Sequence, residues 1–258
     1  MLKTRVIPTL LVRDVGLVKG ERFDSWRRVG APMQAVKVYN MRDVDELILL
    51  DIEATPENRE PDYELISSLA EECFVPLAVG GGIRSIEMVR RLLRVGADKV
   101  CINTAAYALP HLVSEAAERF GAQCVVVAID VRRHADGRYE CYGNCGRFPN
   151  GRDPVAWATR LEVLGAGEIL LTSIDRDGTM EGYDLQLIRE VAQAVKIPVI
   201  ASGGAGCYDH MLQAIQVAGA SAVAASSMYL FTQQTPLEAK AYLSARGVAV
   251  RHQHRQAP

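Results

Sequence analysis

The feature that most constrains this chain is that it nearly repeats itself. RVIPTLLVR lines up with CVVVAIDVR, DELILLDI with GEILLTSI, VPLAVGGGI with IPVIASGGA, and GADKVCINT with GASAVAASS. Glu46 to Glu168 is 122 residues, Gly81 to Gly203 is 122, and Gly96 to Gly219 is 123. One offset held over four successive segments implies two halves of common plan, with binding features that come in pairs. The halves are expected at approximately 1–121 and 122–245, followed by a short C-terminal tail.

The repeated segments define the fold class. RVIPTLLV, DELILLDI, VPLAVGG, ADKVCINT, CVVVAID, EILLTSI, IPVIASGG and SAVAASS are short, rich in Val and Ile, and lack the polar alternation of an exposed sheet. Such runs read as strands buried on both sides. Between them, stretches such as 62–73, 85–95, 111–120, 153–164, 185–195 and 209–218 carry apolar residues at spacings of three and four, the mark of an outer helix. Alternating βα units without a composition break predict one (β/α)8 TIM barrel as a single domain, and 258 residues suit that fold. Reactive groups are then expected at the carboxyl ends of the strands.

Charge narrows the partners. With 29 basic and 31 acidic residues and no run of five like charges, nothing points to nucleic acid or to an anionic membrane surface. A small-molecule ligand is the better expectation. The apolar start of the chain is broken by Pro8 and has no small-residue cleavage site, so a cytoplasmic location is expected. Six scattered cysteines predict free thiols rather than a disulfide framework. Cys141 and Cys145 form a C-x3-C pair, but without a second pair or a nearby His no zinc site is expected, and both read as loop residues. No cofactor is called for.

The strand ends carry the chemistry. Gly80-Gly81-Gly82 follows the third strand, and Ser202-Gly203-Gly204-Ala205-Gly206 follows its repeat mate, each leading into a helix. Glycine at such a turn lets backbone N–H groups approach an anion at a helix N-terminus, although glycines also simply fit tight barrel turns. The fourth strands of the two halves end in Asn103-Thr104 and Ser226-Ser227, suited to phosphate oxygens. Two such sets predict an elongated substrate phosphorylated at both ends. Asp51, Asp130, Asp175 and Asp177 stand at carboxyl ends, where a carboxylate is costly unless it binds something or moves a proton. Catalysis is expected of Asp130, with structural ion pairing as the alternative. Its repeat mate is Leu11, which can neither donate nor accept a proton. At the opposite ends, Arg5, Glu46, Lys99 and Glu168 sit at the starts of four strands, where structural salt bridges are the default reading.

DELILLDIEAT, VGGGIRS, RVGADKVCINTAA, FGAQCVVVAIDVRR, LGAGEILLTSIDRDGTMEGYD and IPVIASGGAG, in that order, resemble the HisF family, the cyclase subunit of imidazole glycerol phosphate synthase in histidine biosynthesis. The resemblance implies a glutaminase subunit docked on the amino-terminal face and ammonia passing a charged ring and the barrel. It also implies a carboxyl face that combines ammonia with a doubly phosphorylated precursor. Residue by residue, it assigns Arg5, Glu46, Lys99 and Glu168 to the ammonia gate, Asp130 to general acid/base catalysis and Lys19 to a mobile-loop lysine. Asp51 and Asp177 become further active-site acids, and Gly82, Asn103, Thr104, Gly204 and Ser226 phosphate contacts.

The departures fall at the chemistry. The family motif Ile-Pro-Cys-Leu-Asp-Val reads Ile7-Pro8-Thr9-Leu10-Leu11-Val12 here, so one half of the acid/base pair is absent. Proton transfer by a positioned group contributes typically about 10²- to 10⁴-fold, so ordinary cyclase turnover is expected to be severely slowed. The stretch from Glu57 to Leu65 and the segment Val15-Gly16-Leu17 also depart from the histidine-pathway pattern. Leucine at position 11 with the Glu-Pro-Asp-Tyr-Glu-Leu loop resembles an accessory branch of the family tied to surface polysaccharide. There the barrel works with a glutaminase-like subunit and a separate sugar amidotransferase to make an acetamidino sugar. The competing expectation is an active cyclase in which Asp51 or Asp175 replaces the missing acid. Rim ion pairs are typically worth only about 0 to 1 kcal/mol, so loss of Lys99 is expected to leave the fold intact.

Overall fold

The computed structural model describes residues 3–14 and 16–251. Val15 and positions 252–258 of the C-terminal tail lie outside the described residues. In chain order the strands are β1 (Arg5–Arg13), β2 (Gly16–Glu21), β3 (Asp24–Gly30), β4 (Leu47–Asp51), β5 (Leu77–Gly80), β6 (Lys99–Ile102), β7 (Val125–Arg133), β8 (Tyr139–Gly143), β9 (Phe148–Pro149), β10 (Glu168–Ser173), β11 (Val199–Ser202) and β12 (Ala222–Ala225). The helices are α1 (Pro32–Asn40), α2 (Tyr63–Glu71), α3 (Ile86–Arg94), α4 (Thr104–Ala108), α5 (His111–Phe120), α6 (Pro154–Val163), α7 (Leu185–Ala194), α8 (Tyr208–Gln216), α9 (Ser227–Phe231) and α10 (Pro236–Ser244).

Eight strands run parallel in the order β1, β4, β5, β6, β7, β10, β11, β12, and β12 pairs back onto β1 to close the barrel. The period-two geometry of a strand sends successive side chains to opposite faces, so the closed barrel has an inner and an outer core. On β1 the outward residues Val6, Leu10 and Val12 join the large core beneath the helices, whereas Ile7 points inward to a separate cluster with Ile48, Val126, Leu170 and Ile200. An uninterrupted apolar run is what a strand facing two cores requires.

The helices start where the sequence supplies caps. Asp62, Ser85, Asp153 and Asp184 accept the N–H groups of Leu65, Met88, Ala156 and Leu187. Each such cap is worth about 1 kcal/mol. α10 carries a capping box between Thr235 and Glu238, and its Lys240 is fully buried, with Nζ 3.1 Å from Asp45 Oδ1 and 2.7 Å from the Asp43 carbonyl. Among the described residues no helix is long and apolar enough to cross a membrane.

Strict βα alternation does not hold. After β1 the chain forms the antiparallel hairpin β2–β3, and after β7 it forms β8–β9, so an excursion follows the first strand of each repeat unit. Cys141 consequently lies buried in a strand and not in a loop, while Cys145 sits in the β8–β9 turn with its thiol on the Ile52 carbonyl at 2.8 Å. Helices α1 and α10 are likewise additions to the expected set.

Candidate active site

A cavity of about 320 Å³ opens at the carboxyl ends of the barrel strands and descends to Thr9, Cys101, Ala128, Leu170 and Ala224 inside the barrel. Its depth has a sequence cause. Small residues at Ala128, Cys101 and Ala224 leave unfilled the layer that bulky side chains commonly occupy in such barrels.

Two wall segments come from the repeat mates. Gly81 and Gly82 link β5 to α3, and Gly203 and Gly204 link β11 to α8. Gly81 has φ +108° and Gly203 φ +87°; a Cβ on Gly81 would drive into the Asp51 carbonyl, so the turn requires glycine. Asn103 stands between β6 and α4, Thr104 opens α4, and Ser226 stands between β12 and α9. Gly82, Asn103, Thr104, Gly204 and Ser226 all line the one cavity. Thr104 Oγ1 accepts the Asn144 N–H at 2.8 Å, which holds it to the second hairpin, and Gly82 N–H donates to Thr55 Oγ1 at 3.1 Å.

Three acids reach the same space in different states. Asp130 lies on the inner face of β7, accepting a 2.9 Å bond from Asn103 Nδ2. Burial, reinforced by the Asp177 charge and opposed by the Asn103 bond, pushes its carboxyl from 3.8 up to about 7. A carboxyl poised there can both give and take a proton near neutrality. Asp177 is held by Lys19, whose Nζ lies 2.7 and 2.9 Å from its two oxygens. Lys19 is only 2% exposed and projects from strand β2 of the first hairpin, not from an irregular loop. Asp51 Oδ1 caps the Glu53 and Ala54 N–H groups at 2.9 Å, and Oδ2 faces Arg59 at 3.3 Å.

Asp175 is the exception. Its carboxylate accepts the Arg133 N–H at 2.7 Å, and it does not line the cavity. Leu11 does line it, on the inner face of β1 two residues above Thr9, and so places a branched alkyl group in the same cavity as Asp130. Thr9 Oγ1 is buried without a hydrogen-bond partner among the described residues. Sequence reading missed Phe23, Trp26, Asn58 and Arg84, which also line the cavity. For Arg84 a signal existed, since it belongs to the Gly80-Gly81-Gly82-Ile83-Arg84 turn. Phe23 and Trp26 depend on the unforeseen hairpin.

At the opposite mouth the four charges form a closed ring. Arg5 contacts Glu46 at 2.6 Å and Glu168 at 3.1 Å, and Lys99 contacts Glu46 at 2.8 Å and Glu168 at 3.2 Å. The expectation of solvent-exposed rim pairs is corrected by burial: the Glu46 side chain is 2% exposed and that of Lys99 14%. Burial lowers the Arg5 pKa, but Glu168 and Glu46 outweigh it and the net shift is upward. Ile7, Ile48, Ala78, Val126, Ile200 and Ala222 fill the space between ring and cavity floor.

Acids, glycine turns and small polar groups gathered at the carboxyl ends of a closed parallel barrel are the arrangement of the (β/α)8-barrel enzymes. Within that class the chain belongs to the histidine biosynthesis protein family, whose model matches residues 5–234. The matched span runs from the first ring residue, Arg5, past the last cavity hydroxyl, Ser227.

Proposed function

We propose that this chain is a HisF-type barrel that accepts ammonia from a glutaminase subunit and relays it toward its carboxyl face. The ammonia serves amidination of a surface-polysaccharide sugar with a separate amidotransferase, and not efficient ring closure in histidine biosynthesis. One observation carries the reading: the buried ring of Arg5, Glu46, Lys99 and Glu168 is complete while position 11, in the cavity with Asp130, is leucine. The conduit is kept and one proton carrier is lost. Free ammonia is a minor species near pH 7, so a closed route through apolar Ile7, Ile48 and Val126 keeps it from equilibrating as ammonium. The face bearing the ring also exposes Phe74 (79%) and Met41 (70%), two large apolar side chains of the kind that anchor a partner.

Gly82, Asn103 and Thr104 on one wall, and Gly204 and Ser226 on the other, are the groups we assign to the two phosphates of a doubly phosphorylated ligand. Asp130 and Asp177, the latter fixed by Lys19, would act on what lies between, with Asp51 shaping the wall. The test is turnover with ammonia and the histidine-pathway intermediate. A rate about 10²-fold or more below that of an ordinary cyclase is expected, and Leu11→Asp should recover activity if the rest of the site is competent. A wild-type rate equal to an ordinary cyclase would sink the proposal.

A divergent active cyclase is the second reading, favoured by the elevated pKa of Asp130. The substitutes it needs are poorly placed, since Asp51 is committed to its turn and Asp175 to the Arg133 N–H. Growth of a histidine auxotroph carrying this chain would favour it.

A further inference from the structure

The two hairpins meet above the cavity. Gly146, in the β8–β9 turn, lies so close to Phe23 of the first hairpin that a Cβ there would come within 2.9 Å of the ring. Beside this contact is a second, smaller recess of about 130 Å³ whose charged lining is Arg13, Arg132, Arg147 and Glu53. Arg13 ends β1 and Arg132 lies near the end of β7, and they are the closing residues of the aligned strings RVIPTLLVR and CVVVAIDVR. Repeat-mate arginines from opposite strands of the barrel thus converge on one space, joined by Arg147 from the turn.

Their charge is not balanced. Glu53 reaches Arg13 at 2.6 Å, but among the described residues no carboxylate lies within 4.0 Å of Arg132 or Arg147. Arg132 is steadied instead against the Tyr142 ring, 5.0 Å away. Three guanidinium groups against one carboxylate leave the recess net positive, and their forked N–H donors match the oxygens of a phosphate bidentately. Phe23, Trp26, Ile52 and Cys145 line this recess and the main cavity alike, so the two spaces adjoin at an aromatic wall.

We infer that this recess is a third oxyanion site, which takes a phosphate-type group carried by a ligand extending out of the main cavity over Trp26. It does not depend on ammonia relay, because it concerns only what the mouth of the barrel can hold. Its concavity and its place beside the main cavity favour a small molecule over an acidic protein segment.

Trp26 supplies the reporter, since the chain has only two tryptophans and Trp157 is buried behind Tyr107. In a Trp157→Phe background, inorganic phosphate and ribose 5-phosphate are titrated separately at low salt while Trp26 fluorescence is followed. Both should perturb it, with ribose 5-phosphate the tighter because its sugar gains the aromatic wall. Arg132→Gln with Arg147→Gln should weaken both by at least about tenfold, since hydrogen bonds to charged groups are the stronger class. Arg147→Gln alone, in an exposed turn that can be changed without touching the barrel, should weaken both about threefold or more. Unchanged affinity in the arginine variants, or no response at millimolar phosphate, would overturn the inference. Inorganic phosphate binding as tightly as ribose 5-phosphate would overturn the ligand-borne assignment.

Discussion

Asp130 shows how a single position joins stability to chemistry. Its carboxyl is raised to about 7, first by burial and then by Asp177. Between about pH 4 and pH 7 the folded protein keeps a proton that the unfolded chain has released, so stability falls as pH rises through that window. Asp130→Asn removes this dependence. The difference in unfolding free energy between variant and wild type, from urea denaturation at a series of pH values, should change by on the order of 4 kcal/mol across the window and be flat outside it. Asp45, also raised by burial, is present in both proteins and cancels. A difference independent of pH would mean that Asp130 is ionised throughout. At this scale the sequence was informative: a carboxylate ending an apolar strand marks itself, and the repeat exposed Leu11 as its mismatched mate. What it could not show was Asp175 turning aside to the Arg133 N–H, because that choice is made by the local path of the chain after β10.

At the scale of elements, the eight barrel strands were legible because burial on both faces leaves few polar positions in them, most tied to the ring or to the cavity. The hairpins were not, and the reason is physical. β3, Asp24–Gly30, is mostly exposed, and its half-buried Trp26 and Val29 are spaced three apart, which is neither strand nor helix period. The hairpin is instead pinned by specific contacts. Arg27 stacks over Phe231 of α9 at 4.1 Å, the Arg22 N–H donates to the Asp177 carbonyl at 2.7 Å, and buried Lys19 grips Asp177. Removing one partner of a buried pair costs roughly 3 to 5 kcal/mol, because the other charge is left uncompensated. Lys19→Met should therefore destabilise the protein by about 3 kcal/mol, and adding Asp177→Asn should restore part of that loss. Additivity in urea denaturation, with the double variant losing the sum of the losses of Lys19→Met and Asp177→Asn, would show that Lys19 and Asp177 contribute independently and that the hairpin rests on its other contacts.

Over the whole molecule, the barrel separates two polar ends by an apolar layer, and the ring at the amino-terminal mouth is the only polar plug among the described side chains that faces that layer from below. Its residues come from β1, β6 and β10 and from Glu46 just before β4, so it closes only if the strands keep their register. Each carboxylate is shared by two cations and each cation by two carboxylates, so no charge is left single while the ring is shut. Opening it requires one side chain to leave, and lysine, a point charge on a flexible stem, costs less to move than Arg5 in its fixed fork. Because the ring is buried, Lys99→Ala should cost about 3 kcal/mol, more than an exposed pair would, yet leave a folded barrel, since domains of this kind hold roughly 5 to 15 kcal/mol. With a glutaminase partner in place, the variant should hydrolyse glutamine without a matching yield of product, while the reaction driven by added ammonia is much less affected. The ratio of product to glutamate, measured in both modes, checks this. If both modes fall together, or if light scattering detects no complex with a glutaminase, the four residues are ion pairs that close the floor of the barrel and nothing more.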